Sequence, residues 1–209
     1  MATKLSLYNG ALAIVRMRKL DSVTEANEAR YKLDDEYDKS LAAMLEDGLW
    51  NFAARTVALE AATDVEPEFG YANAFEKPDD YVRLIAISMN GYLRPPLEDY
   101  RDEGQYWLAD ISVAYVSYVS SGASYGLNLG NWPSSFERAV EYDLAQRIAP
   151  HVTSMGLREL DALKKEAKKE LANARSKDAV NQPPHHPPAG MLVRARVGSG
   201  SRASSRWKY

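Results

Sequence analysis

The chain has 209 residues, of which 45% are apolar and 26% charged, a composition typical of a globular protein with a sizeable core. It has no cysteine, which excludes disulfides and thiolate metal sites and fits a reducing compartment. Its net charge of −3 combines an acidic body with a tail beyond Met191 that has five basic residues and no acidic one.

The first quarter of the sequence predicts two helices. Apolar residues recur at helical spacing over residues 3–20, which favours a first helix there. A capping-box pattern at residues 22–25 predicts the start of a second, amphipathic helix that continues to about Asp47. Trp50 and Phe52 follow it as large apolar anchors.

The β signal lies further along the chain. Residues 97–101 and 105–109 flank a Glu-Gly turn and predict a hairpin, and the Tyr- and Val-rich stretch 112–119 predicts a third strand. Residues 56–59 fit either a strand or a continuing helix, and the pattern leaves both open. We therefore expect a small antiparallel insertion at about 92–120.

Residues 69–84 are unusually rich in aromatic side chains. Pro78, followed by two aspartates, predicts a helix that starts there and ends near Asn90. We interpret this stretch as a packing hub that joins the two halves of the structure. We expect its aromatic residues Phe69, Phe75 and Tyr81 in the core and leave Tyr71 open.

Two further helices are predicted near the end of the globular region. A second capping-box pattern at 134–137 starts the first, which Pro150 is expected to end, and the last helix covers about 156–177. The residues expected to face inward are Phe136, Val140, Leu144, Ile148, Leu157, Leu160, Leu163, Ala167, Leu171 and Ala174. The predicted fold class is mainly α within α+β: a bundle of about four to five helices with a small β insertion and an extended C-terminal arm.

The sequence divides into one domain over residues 1–180 and an appendage over 181–209. The appendage opens with the proline-rich stretch QPPHHPP, typical of a stiff linker, and continues as a basic arm. The arm can bind nucleic acid, anchor on a protein partner or remain a solvated tail. Its candidate interface residues are Arg194, Arg196, Arg202, Arg206, Trp207 and Tyr209.

No motif points to catalysis. The chain lacks a phosphate-binding glycine loop and a nucleophile elbow, and its three histidines lack the companion ligands that a metal needs. The adjacent carboxylates Asp34-Asp35 and Asp79-Asp80 point in different directions if helical, so they make poor acid–base pairs. We therefore expect no enzyme activity, no cofactor and no metal.

A set of motifs resembles a known family. Trp50-Asn51-Phe52-Ala53, the aromatic run 69–75, Pro78, Asp80 and Arg83 together resemble the tail tubular protein A family, the head-to-tail adaptors of short-tailed bacteriophages. The resemblance extends from about Leu5 to Val180. It implies that these motif residues are core or subunit-contact residues.

The resemblance implies a structural protein of the virion neck, assembled in the host cytoplasm, with no membrane association. Such adaptors form a ring, expected to be dodecameric, between the portal protein and the tail nozzle, and extend the channel for genomic DNA. Their helical bundle packs around the ring and their β-rich part faces the tail. An acidic body suits a channel that must pass DNA without specific binding. We expect the arm from Met191 onward to insert along the portal.

Two alternative functions remain open. A neck or head-completion protein of a long-tailed phage shares the helical core, although the predicted hairpin favours the short-tailed group. A small nucleic-acid-binding regulator that uses the basic tail predicts salt-sensitive DNA binding.

Overall fold

The computed structural model describes residues 2–181, so the predicted arm and its candidate interface residues lie outside the described part of the chain. Within residues 2–181 the chain forms four α-helices and two three-stranded antiparallel sheets. The mixed α+β class and the small antiparallel β component are therefore confirmed.

The four helices are arranged around the third one. They are α1 (Lys4–Ile14), α2 (Glu28–Glu46), α3 (Ser134–Val152) and α4 (Leu157–Val180). Helix α3 packs against each of the other three. Its predicted inward stripe is buried as expected, from Phe136 to Ile148.

The first two helices are shorter than predicted. Helix α1 ends at Ile14, and Arg16 directly after it has a left-handed backbone with φ of 59°. Helix α2 starts at Glu28, where the side chain of Asn27 accepts the N–H of Ala29. The predicted capping box at 22–25 forms no helix, because Glu25 accepts the N–H of Asp21 within a local turn.

The last two helices differ from the prediction at their ends. Pro133 occupies the N-cap position of α3 without a side-chain hydrogen bond, so the capping box predicted at 134–137 does not form. Pro150 was expected to end α3, but it lies inside the helix, which continues to Val152. Leu157, expected to face inward, is 83% exposed in the first turn of α4.

Six strands form the two sheets. They are β1 (Ala54–Glu60), β2 (Asn73–Glu76), β3 (Tyr81–Ser88), β4 (Arg101–Glu103), β5 (Tyr106–Ala109) and β6 (Val113–Ser120). The first sheet has the order β1-β6-β3 and the second β2-β5-β4. The hairpin and the strand predicted at 112–119 are confirmed, but the first hairpin strand is Arg101–Glu103 instead of the predicted 97–101. The open choice at 56–59 resolves to a strand. The β region starts at Ala54, well before the predicted 92.

The helix predicted after Pro78 is wrong. The carbonyl of Pro78 accepts the N–H of Tyr81 in a turn, and the chain then enters β3. Strand β3 pairs along β6, with Leu84 opposite Tyr118 and Ile87 opposite Val116. Proline followed by acidic residues suits a turn as well as a helix start, and the pairing with β6 decides between them.

The first sheet points away from the helices. Strand β1 begins beside the helical core and runs outward, while β6 returns, so Ala54 pairs with Val119 at the helical end and Glu60 with Val113 at the far end. The loops that follow β1 and β3 therefore leave the sheet at the end remote from the helices. We call this the distal end of the β region.

Candidate functional site

The family-motif residues occupy three different environments: the helical core, a polar junction between strands, and the surface. Trp50 lies in the helical core, where its Nε1 donates to the carbonyl of Met44 at 2.7 Å. Its ring meets that of Phe136 at a centroid distance of 4.7 Å, and the ring of Phe52 lies equally close to Phe136. These two motif aromatics therefore stabilise the bundle beneath the start of β1.

Phe75 occupies the separate core of the β region. Its side chain is fully buried beside Trp107, which lies opposite it on β5. Tyr81 is half-buried, with its ring 5.1 Å from that of Trp107. Phe75 and Tyr81 of the expected packing hub therefore belong to the β core, whereas Arg83 of the same stretch contacts the end of α2.

Asp80 is the centre of the polar junction. Its carboxylate accepts hydrogen bonds from Tyr118 Oη at 2.8 Å, from Arg55 Nη1 at 2.8 Å and from the hydroxyl of Ser120. These partners lie on β1 and β6, so a residue just before β3 binds the other two strands of the sheet. Burial alone raises the pKa of Asp80, but the three donors outweigh it and hold the pKa below its usual range.

The donors around Asp80 make it a positioning group. Tyr118 and Ser120 donate hydrogen bonds to the carboxylate, and the Arg55 guanidinium forms an ion pair with it. Burial and the bond to Asp80 raise the pKa of Tyr118 far above its usual value. A carboxylate held ionised among donors orients neighbouring strands and is a poor proton acceptor at neutral pH.

The other motif residues lie near the surface. Arg83 Nη1 donates to the carbonyl of Glu46 at 2.9 Å and thus satisfies the C-terminal end of α2. Tyr71 Oη donates to Asp99 at 3.0 Å, which ties the loop after β1 to the segment before β4. Phe69, expected in the core, is 74% exposed.

The distal end carries large exposed apolar side chains. Phe69 lies in the loop after β1, and Met89 and Tyr92 lie in the loop after β3, where they are 60% and 90% exposed. We call these three residues the distal surface. Met89 and Tyr92 share one loop, and large exposed apolar side chains of this kind are candidates for contact with a partner.

The loop that presents Tyr92 is tightly organised. The side chain of Asn90 accepts the N–H of Tyr92 at 3.0 Å and donates to the carbonyl of Arg94 at 2.7 Å. The hydroxyl of Ser88 donates to the carbonyl of Pro95 at 2.9 Å and closes the base of the loop. An exposed side chain on a preorganised loop loses little conformational entropy when it binds a partner.

Phe69 borders a groove of about 310 Å³ on the second sheet. Val65 and Pro67 line it on the side of the loop, and Tyr106 and Leu108 of β5 form its floor. Arg101 and Glu103 of β4 lie opposite Leu108 and Tyr106 in the strand pairing, so the groove follows one face of the β4–β5 hairpin. The groove is apolar at its centre and charged at its rim.

Sequence reasoning missed one buried carboxylate. Asp178, near the end of α4, is 5% exposed and accepts the N–H of Asn51 at 2.9 Å, while Asn51 Nδ2 donates to the carbonyl of Asp178 at 2.7 Å. Burial raises the pKa of Asp178, and the backbone hydrogen bond offsets part of that rise. The available signal was its position four residues after Ala174, which places an acid on the inward stripe of α4.

Within residues 2–181, no group of three or more His, Asp or Glu side chains is arranged to hold a metal ion. His151, the one histidine in this part of the chain, is exposed near the end of α3. Among the described residues, no helix is long and apolar enough to cross a membrane.

No protein-family profile and no curated protein matches the chain. The adaptor resemblance therefore rests on the sequence motifs alone.

Proposed function

We propose that the protein is a head-to-tail adaptor of a short-tailed bacteriophage, a virion structural protein that forms a ring between portal and tail nozzle. The observation that carries the proposal is the distal surface, the exposed apolar side chains of Phe69, Met89 and Tyr92 on the two loops that follow β1 and β3. An adaptor needs such a second attachment surface, separate from the one that holds its ring together.

In this proposal each part of the chain has one task. The helices lie side by side in the ring, the distal surface contacts the tail nozzle, and the arm contacts the portal through Arg194, Arg196, Arg202, Arg206, Trp207 and Tyr209. DNA passes through the channel without specific binding. The acidic balance outside the arm supports this arrangement, because it limits phosphate contacts along the channel.

Electron microscopy of the protein mixed with its portal tests the proposal. Rings capping the portal, with a continuous central channel, are the expected result. Portals that remain bare at saturating protein would contradict it. Attachment of a nozzle protein to the capped portal then separates a short-tailed adaptor from a neck protein of a long-tailed phage.

A second candidate function is a nucleic-acid-binding regulator. It is favoured by one observation beyond the basic tail: helix α4 exposes Arg158, Lys165, Lys168 and Lys169 on the side away from α3. A mobility-shift experiment at low and moderate salt decides between the candidates. Retarded DNA that is released as salt rises favours the regulator, and no retardation at low salt eliminates it.

A further inference from the structure

Helices α2 and α4 lie on either side of α3. Glu36 and Ser40 of α2 contact Arg147 and Asp143 of α3, which shows that α2 and α3 run antiparallel. Only four residues connect α3 to α4, and Arg138 in the first half of α3 pairs with Glu170 in the second half of α4, so these two helices are antiparallel as well. Helices α2 and α4 are therefore parallel to each other, and their outer faces point to different sides of the molecule.

The outer face of α2 is acidic. Its inward stripe is apolar and buried, whereas Glu28, Asp35, Asp38 and Glu46 are exposed on the opposite side. The one exposed lysine of α2, Lys39, already pairs with Glu36 of the same helix at 2.8 Å. The face also carries the exposed ring of Tyr31 near its N-terminal end and the small side chain of Ala42 near its C-terminal end.

The outer face of α4 has the opposite charge. Ala167 and Ala174 face α3, so the exposed side presents Arg158, Lys165, Lys168 and Lys169 together with two acids, Asp161 and Glu166. Lys169 pairs with Glu166 of the same helix at 3.2 Å, which leaves three basic residues on this face for an external partner. Small residues again interrupt the charges, at Ala162 and Ala172.

We infer that the acidic outer face of α2 in one copy binds the basic outer face of α4 in the next copy. The occupant of each face is thus a second copy of this chain, chosen by charge complementarity. Because the two faces are different surfaces on different sides of one molecule, the contact is heterologous and repeats from copy to copy, giving a ring when the rotation closes. The inference rests on the proposed adaptor function for the closure of the ring, but the contact itself is independent of the portal.

The contacts within one copy also predict which residues meet. Glu36 lies level with Arg147 and Glu170 lies level with Arg138, so Asp38 is at about the same height along the bundle as Lys164 and Lys165. A rotation axis parallel to the helices preserves these heights between copies. It brings Asp38 beside Lys165 and Tyr31 beside Leu157, which pairs the exposed ring of α2 with the exposed leucine of α4.

Cross-linking tests the contact directly, because the natural chain has no cysteine. The full-length variants Asp38→Cys and Lys165→Cys are mixed and treated with a short bismaleimide. We expect covalent dimers in the mixture and far fewer with either variant alone. A mixture of Asp38→Cys with Met89→Cys, which is on the distal surface, is the matched control. Equal dimer yields in both mixtures would overturn the inference.

Charge reversal tests the cause of the contact. Lys165→Glu with Lys168→Glu should weaken self-association at least ~tenfold, and so should Asp35→Lys with Asp38→Lys. Combining all four changes should restore it. A control with the same net charge change, Arg94→Glu with Arg101→Glu at the β region, should have no effect.

The two proposals fail in different ways. Rings that form on the portal regardless of these reversals would overturn the α2–α4 contact and leave the adaptor function standing. Specific cross-links and restored association without any binding to the portal would support the contact and overturn the adaptor function.

Discussion

At the scale of single residues, Phe75 and Phe69 show how little an aromatic motif says about burial. Both belong to the same short run, yet one is fully enclosed by the β core and the other is 74% exposed. We expect Phe75→Ala to lower the free energy of unfolding by about 3–5 kcal/mol, because it leaves a cavity beside Trp107. Urea unfolding measures the change.

Phe69→Ala is the matched control for that experiment. It removes the same side chain from a surface position, so the free energy of unfolding should change by no more than about 0.5 kcal/mol. Equal losses from both substitutions would show that the loop after β1 belongs to the folded core.

Asp80 should make the free energy of unfolding depend on pH in the acidic range. Its folded pKa is depressed, so its contribution is present above the unfolded value of about 3.9 and is lost as pH falls through the folded pKa. Asp80→Asn should cost about 1–3 kcal/mol at pH 7. The partial exposure of Arg55 favours the lower half of that range.

Urea unfolding at pH 7 and pH 3 checks the Asp80 prediction. The difference between wild type and Asp80→Asn should shrink as pH falls from 7 to 3, because the unfolded carboxyl gains its proton near about 3.9, above the folded pKa. Asp79→Asn changes an exposed neighbouring residue and should leave the urea unfolding curves at both pH values unchanged. An Asp80→Asn penalty that is the same at both pH values would mean that charge plays no part.

At the scale of elements, the sequence correctly predicted the helices and strands whose hydrophobic or β-forming pattern repeats along their whole length. Helix α3 and strand β6 carry long periodic patterns, and both formed close to their predicted limits. Prediction failed at signals made of one or two residues, such as Pro78 and the pattern at 22–25. These short signals are equally compatible with turns, and the choice depends on β6 or on nearby backbone groups that are not local in sequence.

The docking of α4 onto the start of the β region depends on Asp178. The folded pKa of Asp178 is raised, so its contribution to stability is full below the unfolded value of about 3.9 and is lost as pH rises through the folded pKa. We expect Asp178→Asn to unfold at a higher temperature than wild type at pH 8, because the amide removes a buried charge while an oxygen remains to accept the N–H of Asn51.

Thermal melts at pH 4 and pH 8 test this prediction. The higher melting temperature of Asp178→Asn relative to wild type should disappear at pH 4. Asp178→Asn is therefore stabilising at high pH, whereas Asp80→Asn is destabilising there. Asp161→Asn, an exposed substitution on the same helix, is the control. A variant that melts lower than wild type at pH 8 would show that the ionised carboxylate itself holds α4 in place.

At the scale of the whole molecule, the candidate surfaces were less predictable than the fold. The motif residues were visible in the sequence, but their division into core, junction and surface depends on which strands pair. The charge of α2 and α4 was also visible, whereas the fact that their outer faces point to different sides depends on both helices packing against α3. The hydrophobic pattern of a sequence predicts which side chains of a helix are exposed. The relative orientation of two exposed surfaces depends on how the helices pack in the folded chain.

Substitutions in the distal surface and substitutions in the outer faces of the helices should therefore abolish different contacts. Changing Phe69, Met89 and Tyr92 together to Ser removes exposed apolar contacts, so the free energy of unfolding and the rings on the portal should be retained. Attachment of the tail nozzle should be lost, because the replaced side chains are those proposed to dock on it. Electron microscopy of portal complexes with and without nozzle protein measures both effects.

The charge reversal on α4 supplies the contrasting control, since it should abolish the rings and leave the distal surface intact. If the serine variant instead loses its rings, the exposed apolar residues join neighbouring copies and the nozzle must dock elsewhere. If it keeps both rings and nozzle, the distal surface has no part in tail attachment. Only loss of the nozzle with retention of the ring agrees with a protein whose helices assemble the ring and whose strands receive the tail.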